Sequence, residues 1–468
     1  MITKIEINGF KSFHEFTMEF TPFTVIAGAN ASGKSNLFDA LKLIQRLAET
    51  DNLKKAFKEQ RGEFMELFTQ YENNHYATEM TFAVEMLVNK KVKDAWGNEA
   101  PLKYTRLRYE ITIERFKNTS DLEDLRLKNE SLIKLNHSDD EWVKNILPKE
   151  TLNDWRPQVT VGKRGLPYIE MEENPPAIVV RQDGTQGKMR KFPLNNASRT
   201  ILSSFDTVDF PHVLAAKEEM KSWKFLQLNP EDLRSPTKKI EEDEVSESGK
   251  YLAAALYRIK KEDDYTLKEI SRKLQTFLPN FTAVDVIDDT ENQQYVIKLT
   301  DVHKKEYTSR VLSEGTLRIL ALCILEHDSK HSGLLCFEEP ENGVHPVRIK
   351  MMADLLKDLS VDFKDPEMPL RQVIVNTHSP VLVGNMHQWE TDNQVSIGLS
   401  RMTTKITTIA DKRIALAVTT LSILPTTKKF KAVQGKLVFD GDKENLSPSE
   451  KLTIKSIKEY LETASNFS

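Results

Sequence analysis

Two short segments carry most of the chemistry in this chain. The first is Gly28-Ala29-Asn30-Ala31-Ser32-Gly33-Lys34-Ser35, followed by Asn36. Gly28 and Gly33 let the backbone curl with its N–H groups turned inward, the geometry that cradles phosphate oxygens. Lys34 would bring a point charge to the β and γ phosphates, and the Ser35 hydroxyl is placed for a magnesium ion. A Gly- and Ser-rich turn can match this pattern by chance, so its flanks decide. Residues 23–27 form a short apolar run, and Leu37, Ala40, Leu41, Ile44 and Leu47 recur at helical spacing. Strand, glycine loop and helix is the context a phosphate loop requires, because the helix N-terminus adds its positive end.

The second segment is Glu338-Glu339-Pro340, which closes the apolar run Leu334-Leu335-Cys336-Phe337. A buried strand that stops at two carboxylates places them at the C-terminal edge of a sheet, near the phosphates. Alternation sends the two side chains to different sides. Glu338 is therefore expected to hold magnesium through water, and Glu339 to orient or deprotonate an attacking water. A glutamate at the metal position has a longer arm than the aspartate more usual there. Alone, Glu-Glu after a strand is also an ordinary strand end; the phosphate loop gives it a task.

Two further features follow the same logic. Ser313-Glu314-Gly315 opens an apolar helix expected over 316–327, so hydroxyl, backbone N–H and helix dipole all suit a γ-phosphate. Ser313 is equally a good N-cap, and both roles can hold together. His378, in Val375-Asn376-Thr377-His378-Ser379-Pro380, follows another apolar strand and could hydrogen-bond the γ-phosphate.

The elements that must position these residues read as follows. Strands are expected over 2–8, 15–20, 81–88 and 107–115, helices over 251–259 and 267–277, and a strand pair over 284–288 and 295–299. After 313 the order is helix, strand, helix, strand, then candidate strands at 394–400 and 405–409 and a helix at 449–463. The acidic run 241–247 reads as a solvated linker or helix lead-in. Hydrophobic content of 39% and charged content of 29% fit a globular chain whose 468 residues can hold two or three domains. With a net charge of -4 nothing marks the whole chain as a nucleic-acid binder, so any DNA contact would come from a local patch, Lys188-Met189-Arg190-Lys191 or Lys428-Lys429-Phe430-Lys431. Cys323 and Cys336 lie in apolar runs and read as buried reduced thiols. No apolar stretch reaches the length of a membrane span, and the start lacks a signal core. A cytoplasmic location is expected.

These residues resemble the ABC-type ATPases of the RecF, SMC and OLD-like group, and most of all the AAA-family ATPases of prokaryotic anti-phage defence systems. The resemblance rests on Ile5-Glu6-Ile7-Asn8-Gly9-Phe10-Lys11-Ser12-Phe13, on Gly28 to Asn36, on Leu312 to Arg318, and above all on Glu338 to Pro346 with Thr377 to Pro380. It implies an α/β fold: an ABC-ATPase head of the P-loop type, a mixed sheet flanked by helices, with an inserted α+β subdomain. The implied division is 1–115 for the lobe with the phosphate loop, 116–235 for the insert, 236–385 for the lobe with signature, acids and histidine switch, and 386–468 for a C-terminal extension. It also implies ATP and Mg2+ as ligands and a head-to-tail dimer or higher homo-oligomer, in which Ser313, Glu314 and Gly315 reach the ATP of the partner copy. The family has a glutamine that helps hold the metal, for which Gln70 is the candidate. OLD-type relatives carry a TOPRIM nuclease domain; Asp440-Gly441-Asp442 reads here as a turn rather than such a site, so any nuclease or toxin is expected on a separate effector protein. A RecF-like DNA-binding ATPase is the alternative. A transporter ATPase is disfavoured by the insert and the lack of spans, and a non-enzymatic scaffold by intact Lys34, Glu339 and His378.

Overall fold

The computed structural model describes residues 1–72, 75–157, 166–182, 187–194, 197–386, 392–409, 412–423, 430–433 and 436–439. Its centre is a six-stranded sheet in the order Lys224–Leu226, Gly333–Glu338, Arg371–Thr377, Phe23–Ala27, Val395–Ile409 and Lys412–Ile423. The first five strands are parallel and the last returns antiparallel. Parallel strands covered on both faces need apolar residues at successive positions. Phe23–Ala27 and Arg371–Thr377 are accordingly buried throughout.

This sheet is a wall shared by two cores. Ile26, Leu334, Cys336 and Ile374 point into one; Val25, Leu335, Phe337, Val373 and Val375 point into the other. The first core is closed by an eight-stranded antiparallel sheet that includes Ile2–Asn8, Phe16–Glu19, Glu79–Leu87 and Arg106–Lys117. Helix Lys34–Glu49 lies within that core, with Leu37, Phe38, Leu41 and Ile44 buried, and Pro211–Lys221 packs beside it. The second core is closed by Leu252–Glu262, Asp264–Phe277, Glu314–His327 and Ile349–Asp358, with a small sheet built on the Phe281–Asp289 and Gln294–Asp301 pair.

Two expectations change on contact with the structure. The stretch 116–235 does not stand apart as a subdomain: Glu123–Lys134, Ile169–Glu173, Pro176–Arg181 and Met189–Pro193 extend the same eight-stranded sheet outward from Arg106–Lys117. The expected strands 394–400 and 405–409 are one strand, Val395–Ile409, whose first half lies in the central sheet beside Phe23–Ala27. Polar residues in the middle hid its continuity. The acidic run 241–247 is irregular and partly solvated, leads into helix Leu252–Glu262, and carries surface ion pairs Lys224–Glu244, Lys330–Asp243 and Lys250–Glu241. The expected helix at 449–463 lies outside the described residues.

The first core also holds a buried carboxyl. Glu130 is fully enclosed and accepts hydrogen bonds from the Tyr109 hydroxyl and from the N–H groups of Ile201 and Leu202. Burial still dominates and pushes its pKa from 4.5 up to about 7. Between those values the folded chain keeps a proton that the unfolded chain has released, so stability falls as pH rises through that window. The loss is on the order of 3 kcal/mol. Denaturant melts at about pH 5 and about pH 8 should show this decline in the parent chain and a flatter profile in Glu130→Gln.

Candidate functional site

Parallel register sets the site. Glu338 aligns with Asn376, and Asn376 with Ile26, so all three strands end at the same edge. Gly28, Glu339 and His378 emerge there side by side. The phosphate loop turns through Gly28, Ala31 and Gly33, with φ of 153°, 61° and 89°. Gly33 ends in the left-handed region directly before helix Lys34–Glu49. The Lys34 ammonium donates to the carbonyls of Gly28 and Ala29, at 2.8 Å each. Burial holds it below the usual lysine range, and the charges of Glu339 and Glu341 push it back up. The Ser32 hydroxyl is buried without a hydrogen-bond partner, a free donor inside the cradle.

The loop is braced from outside the phosphate-loop glycines by Ser12, Asn36, Ser400 and Thr419. A Cβ on Gly33 would lie 1.9 Å from Thr419 Oγ1, and one on Gly28 2.6 Å from the Ser400 carbonyl oxygen. The Ser400 hydroxyl donates to the Ser32 carbonyl at 2.8 Å. Asn36 Nδ2 donates to Ser12 Oγ at 2.8 Å, and Ser12 Oγ pairs with Thr419 Oγ1 at 2.6 Å. Ser12 belongs to the 5–13 segment already singled out, whereas Ser400 and Thr419 carry no signal in the sequence, because only the pairing of the C-terminal strands beside Phe23–Ala27 brings them in.

The two acids part at the strand end, through a turn rather than through strand alternation. Glu338 ends its strand and accepts a hydrogen bond from Ser35. Burial, and then the nearby charge of Asp39, raise its carboxyl above the usual range. Glu339 then takes φ 46°, a left-handed turn that costs a non-glycine residue about 1–3 kcal/mol. That turn carries its carboxylate away from the strand: Oε1 meets His378 Nδ1 at 2.8 Å and Oε2 accepts from Asn342 Nδ2 at 2.7 Å. Behind them, Glu341 is buried, accepts from Thr377 Oγ1 at 2.5 Å, and leaves its second oxygen unpartnered. Burial raises its pKa.

Ser313 caps helix Glu314–His327 through the Thr316 N–H. The helix start packs on the loop after the acids: a Cβ on Gly315 would lie 2.8 Å from the Gly343 carbonyl oxygen. A Cβ on Gly343, at φ 73°, would meet the Glu314 carboxyl at the same distance. No hydrogen bond among the described residues joins Ser313 to its own phosphate loop. Ser313 is exposed, as are Val311, Val347 and Val381 beside the signature, the acidic loop and His378 (69%, 78% and 42% exposed).

Among the described residues no hydrogen bond joins Gln70 to this group. It sits on the exposed ribbon Gln70–Glu72, and its amide bonds the Glu72 carbonyl. Gln227 is better placed. It follows Lys224–Leu226, which pairs in parallel with Gly333–Glu338, and it lines a cavity of about 450 Å³ with Glu338, Asp39 and Arg61. A lone glutamine after a three-residue strand leaves little periodic signal. Of the basic patches, Lys188 and Lys191 pair with Asp209 and Glu172 and Arg190 lies over Phe205 and Phe210, so that charge is largely committed. Lys428 and Lys429, and Asp440-Gly441-Asp442, lie outside the described residues. Among the described residues no helix is long and apolar enough to cross a membrane.

Fold and site together define a P-loop nucleotide-binding class of α/β protein. Residues 1–383 match the family described as AAA ATPase domain, and the chain belongs to that family. No curated protein matches it significantly. Solved structures similar to it include an SMC head domain from Thermotoga maritima, at 14% identity over 89% of this chain and 98% of that one, with a TM-score of 0.35. Another is an Smc head with an extended coiled coil, bound to the C-terminal domain of ScpA, derived from Pyrococcus furiosus: 14% identity, 90% and 96% coverage, TM-score 0.42.

The Glu339–His378–Asn342 cluster yields a direct expectation. His378→Ala should lower ATP turnover by about a hundredfold or more, and Asn342→Ala by less, since it positions Glu339 rather than meeting the reacting water. Both residues are exposed, so thermal melting should stay near that of the parent chain. Unchanged turnover in both variants would remove this cluster from the chemistry.

Proposed function

We propose that the chain binds and hydrolyses ATP as an ABC-type ATPase that closes head-to-tail around the nucleotide, as a dimer or higher homo-oligomer. The observation that carries this reading is the convergence of Lys34, Ser35, Glu338, Glu339 and His378 on one sheet edge, with the signature turned outward. Lys34 releases the Gly28 and Ala29 carbonyls to meet phosphate oxygens, and the free Ser32 hydroxyl has a partner there. Glu339 takes a proton from the attacking water, Asn342 holds Glu339 in place, and His378 links Glu339 to the γ-phosphate. Gln227 takes the glutamine role in place of Gln70.

The residues present fit Mg2+. Ser35 and Glu338 are already hydrogen-bonded, and Glu338 lacks nearby positive charge enough to offset its burial and Asp39. Among the described residues no cluster of three or more His, Cys, Asp and Glu forms a cage. One carboxylate and one hydroxyl plus substrate phosphates is the usual magnesium arrangement. When bound, the ion neutralises charge that develops on the phosphates.

Val311, Val347 and Val381, exposed next to the signature, the acidic loop and His378 in the chain, are side chains that closure between two copies would cover. The wider role we propose is sensor and regulator of a separate effector, a nuclease or toxin, in a prokaryotic anti-phage defence system. Its support is the motif resemblance from Glu338 to Pro346 and from Thr377 to Pro380. The RecF-like alternative is weakened by the committed charges at 188–191.

Lys34→Ala should lose ATP binding, and Glu339→Gln should accumulate an ATP-bound dimer in sedimentation. Adding Val347→Asp to Glu339→Gln should shift that species back to monomer. Turnover per chain should rise with protein concentration; constant turnover by a strict monomer contradicts the dimer. For the wider role, the parent chain should copurify from its native cells with a nuclease or toxin whose activity changes in the Glu339→Gln background.

A further inference from the structure

The hairpin of Val395–Ile409 and Lys412–Ile423 has one ordinary face and one unusual one. On one side Ile414, Leu416 and Val418 are buried. On the other, cross-strand pairing places Met402 opposite Thr419, Thr404 opposite Ala417 and Ile406 opposite Ala415, so these six share a face. All but Thr419 are exposed, Met402 at 42% and Ile406 at 72%. A solvent-facing strand surface is normally polar or charged; this strip carries no charge until Arg413, opposite Thr408.

The strip begins at the phosphate loop. Thr419 touches Gly33, and its hydroxyl reaches Met402 Sδ at 3.4 Å. The same Thr419 closes the chain of hydrogen bonds through Ser12 to Asn36 at the start of the phosphate-loop helix. Direction follows from sheet order. Glu338, Glu339 and His378 belong to strands on one side of Phe23–Ala27, and Val395–Ile409 lies on the other. A triphosphate whose terminal phosphate meets Glu339 must run the opposite way, toward Met402.

We infer that the base and ribose of the nucleotide lie on this face, with Met402 and Ala417 as the contact nearest the phosphates. The inference rests on the nucleotide-binding reading above. A thioether and a methyl group offer a soft apolar surface to a ring and no hydrogen-bonding pattern to read its edge. Contact of that kind discriminates weakly, so ATP and GTP should bind within about tenfold of each other. The strip from Met402 to Ile406 spans about 13 Å, long enough for a ribose and base laid flat.

The test uses the full chain with two ligands, ATP and inorganic tripolyphosphate, the second having no nucleoside. Met402→Glu and Ala417→Glu should each weaken ATP at least tenfold and leave tripolyphosphate unchanged, while Met402→Leu, which restores an apolar surface, recovers most of the ATP affinity lost in Met402→Glu. Unchanged ATP affinity in both glutamate variants overturns the inference. Equal loss of both ligands also overturns it, since the substitution would then act through the phosphate loop. A parent chain that binds tripolyphosphate but shows no preference for ATP overturns the inference and leaves the phosphate site standing. One that binds neither ligand overturns both readings.

Discussion

Backbone hydrogen bonding between three parallel strands governs this molecule. Because Gly333–Glu338, Arg371–Thr377 and Phe23–Ala27 run in register, with Glu338, Asn376 and Ile26 in one row, the groups that follow them emerge at one edge. A slip of one residue would send every side chain of a strand to the opposite core. Alternate residues of Leu334–Phe337 feed different cores, so both cores hold the register. Large-scale apolar packing thus fixes which polar groups meet at the edge.

Local departures from regular structure then do the aiming. Glu339 would continue the strand if its φ were ordinary; the left-handed turn instead seats its carboxylate between His378 and Asn342. Gly343, also at positive φ, lets the same loop lie against Glu314 and Gly315. Signature and acidic loop are therefore packed as one body, and a shift in either must be felt by the other. Such loops tolerate strain because the strands on either side over-determine their ends.

Much of this was legible in the sequence, and the rest was hidden for identifiable reasons. Gly28, Gly33, Lys34 and the apolar run before Glu338 are local signals, and local signals place elements well. Contacts between Glu339 and His378, or between Gly33 and Thr419, join residues far apart in the chain, and nothing in residue type marks them. Thr419 and Ser400 are ordinary strand residues made special by the strand beside them. The stretch 116–235 lost its pattern because edge strands such as Met189–Pro193 are largely exposed and carry little alternation. Gln70 drew attention as an isolated glutamine; Gln227 did not, though topology puts it beside Glu338.

The central claim is a composite site in which one copy's phosphate loop faces another copy's signature. Mixing two inactive variants tests it most directly. Lys34→Ala keeps its signature but loses its cradle, and Ser313→Arg keeps its cradle but blocks its signature. In the mixture, a dimer with one of each has one complete site. The account predicts negligible turnover from either variant alone and recovered turnover when they are combined. Full activity in Ser313→Arg alone, or silence in the mixture while the two variants demonstrably associate, would contradict it.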